Sequence, residues 1–306
     1  MPGPLTGLIP APHTPFHADG SLNLDGVDLQ AELFRESGLD TVFIGGTTGE
    51  WASLSVAERN ALTTKWRNVA GGAFKVAVHV GANCRSDAVE LARHAREAGA
   101  TAVAAMPPNY FRPATVADYV EFCEPIAAAA APLAFYFYDF PNMTGVRLPM
   151  SEVLKAGQPR IPNLRGMKYS NNELLELQEC LRLNDGAFDV LFGCDEGYLA
   201  GLAVGLHGTV GCTYQYAAPV YHRILAAFQK GDLETARREQ GKSVELVKTL
   251  NAFGFLPASK ALMAMQGADC GPLRCPLPTL DLKTRLALWE RLSALDVFPR
   301  PLRKPE

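Results

Sequence analysis

The chain alternates between short apolar runs and longer amphipathic stretches. Apolar runs of strand length lie at residues 5–11, 41–44, 75–80, 102–106, 133–138, 164–168, 188–192 and 208–211, and most end at a glycine, a proline or a polar residue. Between them the apolar positions recur at helical spacing. Leu24, Val27, Leu33 and Phe34 form one such stripe over residues 24–37, stopped by Gly38. Ser55 followed by Glu58 has the form of a capping box that opens the next helix. Further helices are expected up to Glu97, up to Ala131, over 150–156, from an Asn171 or Asn172 cap to 183, and over 195–205. Strands that alternate with helices predict a parallel sheet with right-handed crossovers. Eight such units predict an α/β fold of the (β/α)8 TIM-barrel type, and the first strand lacks the GxGxxG of a nucleotide-binding sheet. The rhythm changes after residue 211, where residues 221–230, 233–253, 258–265 and 280–295 all read as helix. The organisation expected is a barrel over 1–225 and a C-terminal helical extension over 226–306. The extension belongs to the same domain, because no flexible linker precedes it.

The sixth apolar run, Leu164-Arg165-Gly166-Met167-Lys168-Tyr169-Ser170, contains a lysine. Counting in twos places Lys168, Gly166 and Leu164 on one strand face, with Gly166 leaving space beside the lysine stem. A lysine on the inner face of a buried strand is costly unless it has a task, and one task is nucleophilic attack on a carbonyl. The plain alternative is a strand-end lysine whose amine reaches water.

Composition narrows the function. The chain has 306 residues, is 48% hydrophobic and carries a formal charge of -3, which is enough apolar material for a large core and shows no basic surplus for nucleic acid. No apolar run is long enough for a membrane span, and Met1-Pro2-Gly3-Pro4 has no basic signal-peptide region. The seven cysteines form no CxxC and the six histidines no HExxH, so the expectation is a reduced, cytoplasmic protein without a metal.

In a barrel the strand C-termini carry the chemistry. Gly45-Gly46-Thr47-Thr48-Gly49-Glu50 offers backbone and hydroxyl donors that suit a carboxylate, or forms only a tight turn. Tyr136 and Tyr138 share a face in Phe135-Tyr136-Phe137-Tyr138-Asp139-Phe140-Pro141. Tyr138 is nearer the rim and so the better proton carrier, unless both rings only fill the core. Asp195 and Glu196, in Phe192-Gly193-Cys194-Asp195-Glu196, can accept hydrogen bonds from a polyol or simply bias a helix start. Gly211-Cys212-Thr213-Tyr214-Gln215 reads as a small-residue loop with room for a ligand.

These stretches resemble the pyruvate-dependent class I aldolase family that contains N-acetylneuraminate lyase and dihydrodipicolinate synthase. GGTTGE at 45–50, YDFPNMTG at 138–145, Lys168 and GCTYQY at 211–216 occur in the family's order. The resemblance implies that Lys168 forms a Schiff base with pyruvate and that Tyr138 relays protons. It implies that Thr47 and Thr48 hold the pyruvate carboxylate, with Thr47 also touching the tyrosine hydroxyl, and that Tyr110 reaches toward a neighbouring subunit of a homotetramer. Ser170, Gly193, Asp195, Glu196 and Cys212 are the further substrate-binding positions it implies, with no cofactor needed. The match leans to the sialic acid lyases. Asn142-Met143-Thr144 lacks the arginine that the synthases use for a second carboxylate, and Gly193-Cys194-Asp195-Glu196 has the lyase form. Cys212 in place of a serine, Gln215 in place of an asparagine, and the bulky Trp51 depart from the lyase pattern. The expectation is reversible cleavage of a sialic acid to pyruvate and N-acetylmannosamine, with a small-molecule substrate and neither nucleic-acid nor membrane partners. Two other readings stay open: a pyruvate-imine aldolase or dehydratase for a smaller 2-keto-3-deoxy sugar acid, and a non-catalytic keto-acid sensor.

Overall fold

The computed structural model describes residues 3–72 and 74–306. Eight strands, β1 (Gly7–Pro10), β2 (Thr41–Ile44), β3 (Lys75–His79), β4 (Ala102–Ala105), β5 (Ala134–Asp139), β6 (Leu164–Tyr169), β7 (Asp189–Phe192) and β8 (Gly208–Gly211), form one parallel sheet in the order β1-β8-β7-β6-β5-β4-β3-β2. β1 and β2 meet at the seam, so the sheet curls into the expected (β/α)8 barrel. Period-two alternation sorts each strand into two layers. Ile9, Phe43, Ala77, Ala104, Tyr136, Tyr138, Leu191 and Val210 fill the barrel. Val42, Ile44, Val76, Val103, Phe135, Phe137, Met167 and Val190 pack outward against the helices. Alanines on β3 and β4 leave the room that Phe43 and the two tyrosines occupy, which is the large-against-small packing a closed barrel requires.

The inner face of β6 differs from the simple count. Phe135 pairs with Leu164 but Tyr136 pairs with Gly166, so Arg165 is an extra residue and the strand bulges. Leu164 therefore joins the outer layer, while Gly166 and Lys168 keep the inner face. Gly166 does not provide space for the lysine stem: a Cβ there would lie 1.8 Å from the Asp189 carbonyl oxygen, so β7 takes that space. On the barrel floor Tyr136 donates to Asp189 at 2.8 Å and Arg165 donates to the same carboxylate at 3.1 Å. Tyr136 thus fills the core with its hydroxyl satisfied.

Two helices start elsewhere than the sequence pattern predicts. The helix after β6 spans Leu174–Arg182 and receives no side-chain cap. Asn171 turns back to donate to Asp139, and Asn172 faces the cavity at the strand ends. The helix after β8 spans Tyr214–Gln229, beginning in the stretch expected to be loop and enclosing the 225/226 boundary. The helix contains Pro219 and continues through it with a kink at Ala217. The capping box at Ser55 and Glu58 forms as expected. Beyond the barrel, helices Leu233–Ala252, Phe255–Met265 and Leu282–Ser293 fold back against it. The second contributes Lys260, which forms a buried 2.8 Å ion pair with Glu50 of the β2 loop.

Candidate active site

The β5–β6 register sets Tyr138 beside Lys168. The lysine is buried, and its Nζ donates to the Tyr138 hydroxyl at 2.9 Å. Nζ also lies 4.3 Å from the Phe43 ring centroid and 4.2 Å from that of Tyr138. Among the described residues no carboxylate stands within ion-pair distance of it. An amine enclosed by aromatic faces and a single phenol is placed to attack a carbonyl, with a proton carrier already bonded to it.

The loop after β2 forms the adjacent wall. Gly45 adopts φ +64°, a left-handed conformation that favours glycine, and Glu50 holds φ +55°. Three contacts fix it from outside: His79 to the Gly45 carbonyl at 2.8 Å, Thr14 to the Gly49 carbonyl at 2.6 Å, and Lys260 to Glu50 at 2.8 Å. Glu50 also accepts from the Arg274 backbone N–H at 2.9 Å. Within the loop, the Thr47 hydroxyl is buried without a partner, and Thr47 and Thr48 both line the cavity. A buried hydroxyl left unpaired in the free protein is suited to a polar ligand.

The opposite wall comes from β7 and β8. The Thr213 backbone N–H and hydroxyl donate to one Asp195 oxygen at 2.8 and 2.6 Å. The other oxygen has no partner. Burial pushes the Asp195 carboxyl up to about 6, against the lowering effect of Thr213. Gly211 and Gly193 let these side chains approach closely: a Cβ would lie 1.9 Å from Asp195 Oδ1 at the first and 2.2 Å from Ser170 Oγ at the second, so either side chain would have to shift. Glu196 is exposed at the rim. Cys212 faces inward to Ser259 at 3.2 Å, and Gln215 donates to its sulfur at 3.3 Å. Burial pushes the Cys212 thiol up to about 11, so it stays protonated at neutral pH.

These groups share one cavity of about 410 Å³. It brings together Thr47, Thr48, Tyr138, Lys168, Ser170, Gly193, Asp195, Glu196 and Cys212. Tyr110 is not among them: it is 78% exposed and packs edge-to-face on the 85% exposed Phe111. Sequence reasoning assigned no site role to Asn142 and Cys194, which lie within recognised motifs, to Asn172 beside one, or to Val247, Asn251, Phe255 and Leu256, which line the cavity from the extension. Asn172 and Asn142 were legible as polar neighbours of a strand end. Nothing local marks Asn251. Among the described residues no group of three or more His, Cys, Asp or Glu side chains is arranged to hold a metal.

Residues 4–295 match the dihydrodipicolinate synthetase family. The chain belongs to that family. Within it, the chain is 34% identical over 302 residues to the N-acetylneuraminate lyase of Mus musculus, covering 97% of this chain and 94% of the relative. The solved N-acetylneuraminate lyase (sialic acid aldolase) of Aliivibrio salmonicida superposes with a TM-score of 0.95 at 39% identity, over 98% of this chain and 99% of that one. The Ruminococcus gnavus sialic acid aldolase, solved as a catalytic lysine mutant, superposes with a TM-score of 0.88 at 26% identity, over 94% and 95% of the two chains.

Proposed function

We propose that this chain is a class I aldolase that reversibly cleaves N-acetylneuraminate to pyruvate and N-acetylmannosamine. The observation that carries the reading is the 2.9 Å contact between the Lys168 amine and the Tyr138 phenol inside a cavity of about 410 Å³. The family and the lyase relatives support it. Lys168 attacks the keto carbon of the sugar acid, and loss of water leaves a protonated imine. Tyr138 accepts the proton of the hydroxyl on the far side of the C–C bond. That bond breaks and its electron pair passes to the imine, giving an enamine. Protonation of the enamine carbon and hydrolysis then release pyruvate. Thr47 and Thr48 hold the carboxylate. Ser170, Gly193, Asp195, Glu196 and Cys212 line the sugar tail. The electron sink is the imine itself, so the reading requires no cofactor.

Two features favour the sugar substrate. The free Asp195 oxygen needs a donor, and a polyol supplies one. Met143, which lines the cavity, offers no charge for a second carboxylate. The reading includes a homotetramer in which Tyr110 approaches a neighbour's cavity, and a cytoplasmic location. No described helix is long and apolar enough to cross a membrane. The test is pyruvate release from N-acetylneuraminate by the purified protein. Parallel assays use aspartate semialdehyde with pyruvate and a shorter 2-keto-3-deoxy acid. Release from N-acetylneuraminate is expected. Condensation with the semialdehyde, without that release, would overturn the assignment.

A further inference from the structure

Resting on that reading, we propose that His79 is a positioning residue with two separable tasks: its Nδ1–H fixes the carboxylate-binding loop through Gly45, and its ring fixes the Tyr138 phenol. The imidazole stands at the C-terminal end of β3, buried, and touches neither Lys168 nor the cavity wall as a ligand group would. Its Nδ1 lies 2.8 Å from the Gly45 carbonyl oxygen. A carbonyl only accepts, so Nδ1 carries the proton and Nε2 is left as the acceptor. Nε2 faces the Met106 backbone N–H at 3.4 Å, which agrees with that tautomer. Burial, followed by the nearby Arg59 charge, holds the ring well below the usual histidine range, so it stays neutral.

The ring is wedged between two aromatic side chains. It meets Tyr138 edge-on at 5.5 Å and 90°, and Trp51 at 5.4 Å and 67°. Arg59, also buried, donates to the His79 carbonyl at 2.7 Å and the Gly81 carbonyl at 3.0 Å, and its guanidinium lies 5.6 Å over Trp51. Gly81 admits the imidazole: a Cβ there would lie 2.8 Å from Nε2. The histidine thus joins the two working walls. One edge holds the first residue of the loop that carries Thr47 and Thr48. The other bounds the space in which the Tyr138 ring can turn.

Two variants split these tasks. His79→Phe keeps the ring and removes the donor. His79→Asn keeps a donor at the Nδ1 position and removes most of the ring. His79→Phe is expected to raise KM for pyruvate in the condensation direction by about tenfold, the scale of leaving one buried carbonyl unpaired, with kcat within about twofold. His79→Asn is expected to keep the pyruvate KM and to lower kcat by about tenfold as the phenol loses its support. A purely structural role would move both constants alike in both variants, and that result overturns the proposal, as does an unchanged pyruvate KM in His79→Phe. Should either variant fail to fold, ¹⁵N-histidine NMR on the parent decides: a neutral Nδ1–H tautomer at pH 6 is expected, and a neutral Nε2–H tautomer, which has no donor at Nδ1, removes the bond to Gly45 and the proposal with it. Borohydride trapping of pyruvate on the parent is run alongside. A parent that traps no pyruvate rejects the aldolase reading. A parent that traps it while both variants keep its kinetics rejects only the role of His79.

Discussion

Replacing Asp195 with asparagine should stabilise the protein and damage its function, each in a way that pH resolves. One carboxylate oxygen accepts two hydrogen bonds from Thr213 and the other is buried and unpaired. Burial displaces the carboxyl from its ordinary value near 3.8 to about 6. At 1.36 kcal/mol per pH unit, the folded protein carries an ionisation cost on the order of 3 kcal/mol at this site. The sign follows from linkage. Below about pH 4 the group is protonated whether the chain is folded or not, and no cost is present. Between about 4 and about 6 the unfolded chain ionises first, so this residue's contribution becomes destabilising, and above 6 the full cost stands. In Asp195→Asn the amide oxygen faces the two Thr213 donors, and the NH₂ takes the unpaired position. The variant should match the parent near pH 4. Its melting temperature should exceed the parent's by about 5 °C at pH 8 for a chain of this length. Asp139, also raised by burial, to about 7, is present in both proteins and cancels in the difference. In the same variant kcat/KM for N-acetylneuraminate should fall by about tenfold or more, because an acceptor for the sugar has become a donor. Melting curves of both proteins from pH 4 to pH 8 decide the matter. A gap that does not change with pH, or a variant less stable than the parent at pH 8, refutes the reasoning.

Tyr138→Phe keeps the ring against Phe43 and His79 and removes only the hydroxyl. It should lower kcat by about 10²–10⁴-fold while pyruvate is still trapped as an imine, and an unimpaired variant would reassign the proton carrier. Gly166→Ala drives a Cβ to within 1.8 Å of the Asp189 backbone, which cannot rotate away. It should cost at least about 3 kcal/mol or prevent folding, and chemical denaturation at the parent's midpoint would contradict this reasoning. Cys212→Ser retains a group that can bond Ser259 and Tyr216 and adds a stronger donor toward the cavity. Its kcat/KM for N-acetylneuraminate should equal or exceed the parent's, and a tenfold loss would mean that the sulfur itself is needed.

The barrel was legible because the eight apolar runs and the helical stripes between them obey different periods, and the burial pattern follows both. Lys168 was placed on the inner face correctly, since only Gly166 is needed to set its parity. Leu164 was not, because a bulge at Arg165 reverses every residue before it and leaves no mark in composition. The helix Tyr214–Gln229 begins seven residues before the expected start at residue 221, and only the folded backbone shows the kink at Ala217 through which it continues past Pro219. The cavity floor was readable for a related reason: strand ends are adjacent by construction. Its roof was not. Asn251 and Leu256 reach the site only because the extension folds back, and the pairing of Lys260 with Glu50 joins residues 210 positions apart. No local pattern encodes such a contact. His79 carries no such mark either, since a lone histidine at a strand end has no spacing signal.

The imine on Lys168 is the central claim, and its most direct test is reductive trapping. The protein is incubated with pyruvate, reduced with borohydride, digested and mapped by mass. One pyruvate-derived adduct per chain is expected, on the peptide containing Lys168, and Lys168→Ala should fold and carry none. An adduct on Lys260, Lys75 or another lysine, or no adduct from a folded parent, would contradict the account.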